Sequence, residues 1–190
     1  GIAMAQLVDR GGTADVLELT EGRILKAFRR RAHTIDIVTE WNDHDAITRA
    51  QFRAEASAYE RLQGHSSLEI YVPRYFGRVD PVEVLQLPAS DEIYVRGCGI
   101  ILERIPGSEQ KLAHLDNSVE EKVSIVMEEL RDTLDIDQVW DASCFVPGTR
   151  APFTVIDFAF WNAEEYEMLL AERGRLTNIA RAKLESENAG

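Results

Sequence analysis

Leu17-Glu18-Leu19-Thr20-Glu21-Gly22-Arg23-Ile24-Leu25-Lys26-Ala27-Phe28 is the stretch that decides the fold class. Two largely apolar runs flank Thr20-Glu21-Gly22, which is the sequence sign of a β-hairpin. The second run carries one lysine, Lys26, between Leu25 and Ala27-Phe28. An isolated charge among apolar neighbours is costly unless it is paired, so Lys26 needs a partner.

Two carboxylates stand in similar surroundings. From about Asp45 to Gln63 the pattern is helical, and Phe52, Glu55, Tyr59 and Leu62 recur at spacings that share one face. Gly64 supplies the stop, and Glu60 falls on the water side. Asp157 follows Val155-Ile156 and precedes Phe158, at the end of an apolar strand. The bland readings are a solvated edge-strand lysine, a carboxylate at the rim of the helix stripe and a turn-capping Asp. Upstream of the hairpin, Gly11-Gly12-Thr13-Ala14-Asp15 reads as a glycine turn.

Working outward, Val72 to Gly77 reads as a short strand and Pro81 to Ser90 as a loop insertion. Ile93 to Val95 and Gly99 to Glu103 give further strand. Ile105-Pro106-Gly107-Ser108 is a break and the natural domain boundary, dividing 1–105 from 106–190. Val119 to Leu134 is an amphipathic helix, with Val123, Val126, Met127 and Leu130 on one face. Residues 135–152 are poorly patterned. From about Ala163 to Leu184 the chain reads as helix, with a break at Gly174.

The chain has 190 residues, 45% hydrophobic and 28% charged, the balance of a soluble globular protein. Its formal charge of −12 argues against general binding of nucleic acid or anionic membrane, both of which need a basic surface. Arg29-Arg30-Arg31 is the one basic cluster and reads as a solvated strand exit. Cys98 reads as a core strand residue; with Cys144 it offers neither a disulfide framework nor zinc spacing. No run approaches the roughly 18 apolar residues of a membrane helix, and no secretory leader is visible, so a cytoplasmic protein is expected.

The order of these parts resembles the protein-kinase-like superfamily, which includes small-molecule kinases such as aminoglycoside phosphotransferases. The likeness spans about residues 7–161 and is strongest from Gly11 to Lys26. It implies an α+β fold: an antiparallel-sheet N-lobe with one helix, and a reduced, mainly helical C-lobe. It implies ATP and Mg²⁺ as ligands. Gly11, Gly12 and Thr13 would approach the phosphates, since glycine lets backbone N–H groups come close; only two adjacent glycines stand where the family has three spaced ones. Lys26 would contact the α- and β-phosphates, Glu55 would hold Lys26, and Asp157 would bind the metal. Glu103-Arg104-Ile105 falls at the hinge, where Glu103 and Ile105 would meet adenine through backbone groups.

The family's catalytic loop is degraded here. Its pattern needs His-x-Asp and an Asn five residues after that Asp. Between Leu134 and Val146 there is no His, and no placement restores the motif. Three explanations remain open: a pseudokinase, a divergent enzyme using Asp135, Asp137 or Asp141 as base, or a segment absent from the sequence near Leu134. Asp137 is the base of choice. Nothing resembles the Ala-Pro-Glu motif, which speaks against a protein substrate. Two functions are therefore weighed: an ATP-binding kinase-like domain, either a phosphotransferase or a nucleotide-binding pseudokinase, and a non-catalytic scaffold for a protein partner.

Overall fold

The computed structural model describes residues 5–30, 45–107, 117–135, 145–158, 171, 174–175, 178 and 181–190. Five strands form one antiparallel sheet in the order β1-β2-β3-β5-β4. They are β1 (Gln6–Arg10), β2 (Ala14–Glu18), β3 (Arg23–Arg29), β4 (Tyr75–Val79) and β5 (Tyr94–Glu103). The β2–β3 turn has positive φ at both Glu21 and Gly22, +66° and +70°. That is the primed turn whose twist matches a hairpin. β3 lies at the centre of the sheet, so Lys26 is not on an edge.

Helix α1 (Ala46–Leu62) crosses one face of this sheet. Phe52, Glu55, Tyr59 and Leu62 are all buried, as the spacing implied. Their apolar members join Phe28, Val95, Cys98, Ile100 and Leu102 in the main core. Glu60 is exposed, yet it is not idle: it accepts from Arg78 at 2.7 and 3.0 Å and from the Tyr75 hydroxyl at 2.6 Å.

The opposite face is covered by residues expected to form a loop. Pro81–Leu85 and Ser90–Ile93 are short helices, α2 and α3. Asp80 caps α2 by accepting from the Val82 N–H at 3.1 Å, and Pro81 occupies the first turn, where its missing N–H costs nothing. The segment folds this way because Leu17, Leu25, Ala27 and Tyr94 present an apolar surface, and Leu85 packs into it. β5 likewise runs unbroken through Gly97, which takes φ +76° and donates its N–H to Asp80 at 3.1 Å. Gly99 lies so close to β4 that a Cβ there would sit 3.0 Å from the Val79 carbonyl oxygen. β4 begins at Tyr75, three residues later than expected.

Beyond residue 105 the main core continues. Helix α4 (Asn117–Leu134) contributes Val123, Val126, Leu130 and Leu134. A small hairpin, β6 (Phe145–Pro147) and β7 (Phe153–Val155), adds Phe145, Phe153 and Val155. Tyr71, from a 3₁₀ turn at Glu69–Tyr71, packs on Phe153 with ring centroids 5.0 Å apart. Arg150, between β6 and β7, donates to Glu103 at 2.7 and 2.8 Å and to the Val72 carbonyl at 2.9 Å. Near the C-terminus, Gly174 is helical rather than a break. Among the described residues no helix is long and apolar enough to cross a membrane.

Candidate functional site

The lysine in the β3 run finds its partner across the sheet–helix interface. Lys26 Nζ donates to Glu55 Oε1 at 2.8 Å. The carboxylate is 1% exposed and the lysine 21%, so the acid is sealed from water while the ammonium keeps some contact with it. Two periodicities produce this. β3 alternates Leu25 and Ala27 toward α2 and α3 with Lys26 and Phe28 toward α1. The 3.6-residue period of α1 places Glu55 between Phe52 and Tyr59 on its inner stripe.

Burial raises the Glu55 pKa above its ordinary value; the Lys26 ammonium opposes that rise and the Asp157 carboxylate adds to it. The Phe158 backbone amide also helps to hold the Glu55 charge. Among the described residues Glu55 Oε2 is buried without a hydrogen-bond partner. One helical turn on, Tyr59 is fully buried, and burial with the Glu55 and Asp157 charges drives its pKa well up.

Asp157 lies just past the end of β7, which stops at Val155, two residues short of the aspartate expected at the strand's end. Its φ is +78°, a conformation non-glycine residues avoid and one that clusters at functional sites. The next residue is anchored in the core. Phe158 is fully buried and packs edge-to-face on Tyr59, centroids 5.2 Å apart, and Tyr59 in turn stacks on Tyr75 at 5.9 Å. Asp157 is thereby tethered to the helix that carries Glu55.

Gly11, Gly12 and Thr13 form the turn from β1 to β2, with the Gly11 N–H donating to the Ala14 carbonyl at 2.9 Å. Glu103 ends β5. Its N–H donates to the Arg74 carbonyl at 2.9 Å and its carboxylate accepts from Arg150 and from the Arg74 N–H. The Arg104 N–H donates to the Gly22 carbonyl at 2.8 Å. The sheet therefore uses the amides of Glu103 and Arg104, and Ile105 is buried immediately after them. Asp137 and Asp141 lie outside the described residues.

Sequence reasoning missed one cluster. Asp15 is fully buried; its Oδ1 accepts from Arg29 at 2.5 Å and Arg10 at 3.1 Å, and its Oδ2 from the Tyr94 hydroxyl at 2.8 Å. Arg29 is thus a buried partner, 8% exposed, and not part of a solvated strand exit. Arg30 matches that expectation better, being exposed and paired with Asp45 at 3.1 Å; Arg31 lies outside the described residues. The available signal was Asp15 itself, an acid between Ala14 and Val16. Cys98 is a core residue as expected, and burial pushes its thiol pKa up to about 11.

Neither protein-family models nor curated proteins yield a match to this chain.

Proposed function

We propose that the chain is an ATP-binding domain of the kinase-like type, with the phosphates held at Lys26. The observation that carries this reading is the Lys26–Glu55 pair at 2.8 Å, beneath a helix against which Asp157-Phe158 is also docked. A lysine held by a buried carboxylate keeps its charge and position, and at 21% exposure it is within reach of an anion from solvent. Such a site works by positioning and by neutralising charge, with little covalent work by the protein.

Mg²⁺ fits the donor set. It binds through one or two carboxylates and substrate phosphates while keeping several waters. Asp157 supplies a partly exposed carboxylate. Lys26, Glu55 and Asp157 together leave one negative charge, which a divalent ion would offset. When bound, the ion would neutralise phosphate charge. In this chain Asp157 would hold it, Glu55 would orient Lys26, and Lys26 would fix the phosphates. Adenine would be read near Ile105, since the amides of Glu103 and Arg104 are engaged. If a phosphoryl group is transferred, Asp137 is the proposed base.

The second reading, a protein-binding scaffold without catalysis, is favoured by one observation: the stretch 134–146 contains no His or Asn. Thermal unfolding with and without Mg²⁺-ATP separates the two. Binding at a hundredfold excess over Kd stabilises by about 2.7 kcal/mol, a rise in Tm of several degrees. An unchanged Tm at millimolar Mg²⁺-ATP favours the scaffold.

A further inference from the structure

Arg29 does two things at once. Its Nη1 donates to Asp15 at 2.5 Å, and its Nη2 donates to the Gly11 carbonyl at 2.5 Å. Its own N–H donates to the Thr13 carbonyl at 2.9 Å. Two carbonyls of the glycine turn are therefore drawn to one residue at the end of β3. The guanidinium cannot swing away, because Asp15 is itself held by Arg10 and by Tyr94 from β5. An arginine suits the task, being a planar fork that can serve a carboxylate and a carbonyl together.

The direction of the grip matters. Asp15 and Tyr94 belong to the side of the sheet covered by α2 and α3, with Leu17, Leu25 and Ala27. Lys26 and Glu55 lie on the other side, beneath α1. In a trans peptide the C=O and N–H point in opposite directions. With the Gly11 carbonyl held by Arg29, the Gly12 N–H points away from the α2–α3 side and toward the side of Lys26. Gly12 is itself exposed, and a side chain built on it would meet nothing within 4 Å, so no neighbour covers this residue among those described. Asp15 offsets the Arg29 charge, so what Arg29 contributes is orientation.

We propose that Arg29 is a positioning residue that aims the Gly12 amide at the phosphates of the nucleotide, locked by Asp15 and Tyr94. The inference rests on the nucleotide reading and adds which residue shapes the phosphate end of that site. Backbone amides turned toward an anion form a fixed positive concavity; released from Arg29, the same turn would average its dipole over many orientations.

The test is calorimetric titration of ATP and of adenosine into wild type and Arg29→Lys. Lysine keeps the positive charge beside Asp15 but cannot serve both acceptors. The expected result is about a tenfold loss of ATP affinity, with adenosine affinity within about twofold of wild type, equivalent to roughly 1.4 kcal/mol confined to the phosphates. A purely structural role would weaken both ligands together, and that outcome overturns the proposal. Equal ATP binding by wild type and variant overturns it while leaving the nucleotide reading intact. A wild type that binds neither ligand overturns both. Should Arg29→Lys fail to fold, amide resonances of the wild type titrated with inorganic tripolyphosphate decide. The Gly12 amide must be among the most shifted; an unmoved Gly12 signal overturns the proposal.

Discussion

Asp15 and Glu55 are both carboxylates removed from water, 0% and 1% exposed, on opposite sides of one sheet. Asp15 has both oxygens occupied, by two guanidinium groups and a phenol from three strands. Glu55 has one lysine on Oε1, help from the Phe158 amide, no hydrogen-bond partner on Oε2 among the described residues, and a second carboxylate near enough to raise its pKa. The first arrangement is what a fold adopts to hold itself together, since a buried network repays its desolvation only when every member is satisfied. The second is under-satisfied and electrostatically tense. Perturbed groups of that kind cluster at sites that bind or react, though structural ion pairs are perturbed too, and the nucleotide proposal rests on this contrast.

The largest effect that could break this contrast is expected at Arg29. Arg29→Met strips Asp15 of its closest cation and should cost roughly 3–5 kcal/mol, read by urea unfolding. A loss below about 1 kcal/mol would mean that Asp15 is not held as described.

Lys26→Met should cost less, roughly 1–3 kcal/mol, because Glu55, whose pKa is already raised by burial, can take up a proton when its cation is lost. Its signature is pH dependence. Glu55 has a folded pKa above 4.5, so the folded state binds the proton more tightly than the unfolded one. The stability linked to that proton is present in acid and is lost as pH rises through the folded value. Removing Lys26 removes the main force holding that pKa down, which raises it further and widens the window. The variant should therefore lose more stability at about pH 8 than at about pH 5. An equal loss at both would contradict the assigned coupling.

Glu55→Gln sharpens the comparison. Glutamine keeps the shape and an acceptor for Lys26 while relieving the repulsion from Asp157, so stability should change by about 1 kcal/mol or less. Nucleotide affinity should nevertheless fall, because Lys26 is no longer held by an anion. The smallest effect belongs to the exposed Glu60–Arg78 pair. Arg78→Ala should cost about 0.2–1 kcal/mol and fade in salt, in contrast with either buried carboxylate.

Much of this was legible in the sequence where a local rule governs. The β2–β3 hairpin followed from Glu21-Gly22, and α1 from the Phe52, Glu55, Tyr59, Leu62 spacing. Charges amid apolar neighbours marked Lys26, Glu55 and Asp157 as residues needing partners, although only the fold puts Lys26 against Glu55. Failures came where tertiary context overrode a local pattern. Pro81 to Ser90 looked like a loop, but an apolar sheet face drew it into two short helices. Arg29 looked like part of a solvated cluster, because nothing within three residues shows that a strand places it beside Asp15. Ile93 to Val95 and Gly99 to Glu103 looked like separate strand pieces, whereas β5 runs through both, with the Gly97 N–H between them donated to Asp80. The positive φ of Asp157 has no sequence sign, since a non-glycine residue seldom adopts it and no neighbouring residue announces it.

The most direct measurement is calorimetric titration of ATP into the wild-type chain, with and without Mg²⁺, beside Lys26→Met and Asp157→Ala. The nucleotide reading requires Mg²⁺-dependent binding by wild type that drops at least tenfold in each variant, while both variants remain folded. Absence of binding by a folded wild-type chain, or binding unchanged by both substitutions, would contradict it and return Lys26, Glu55 and Asp157 to the role of a structural ion cluster.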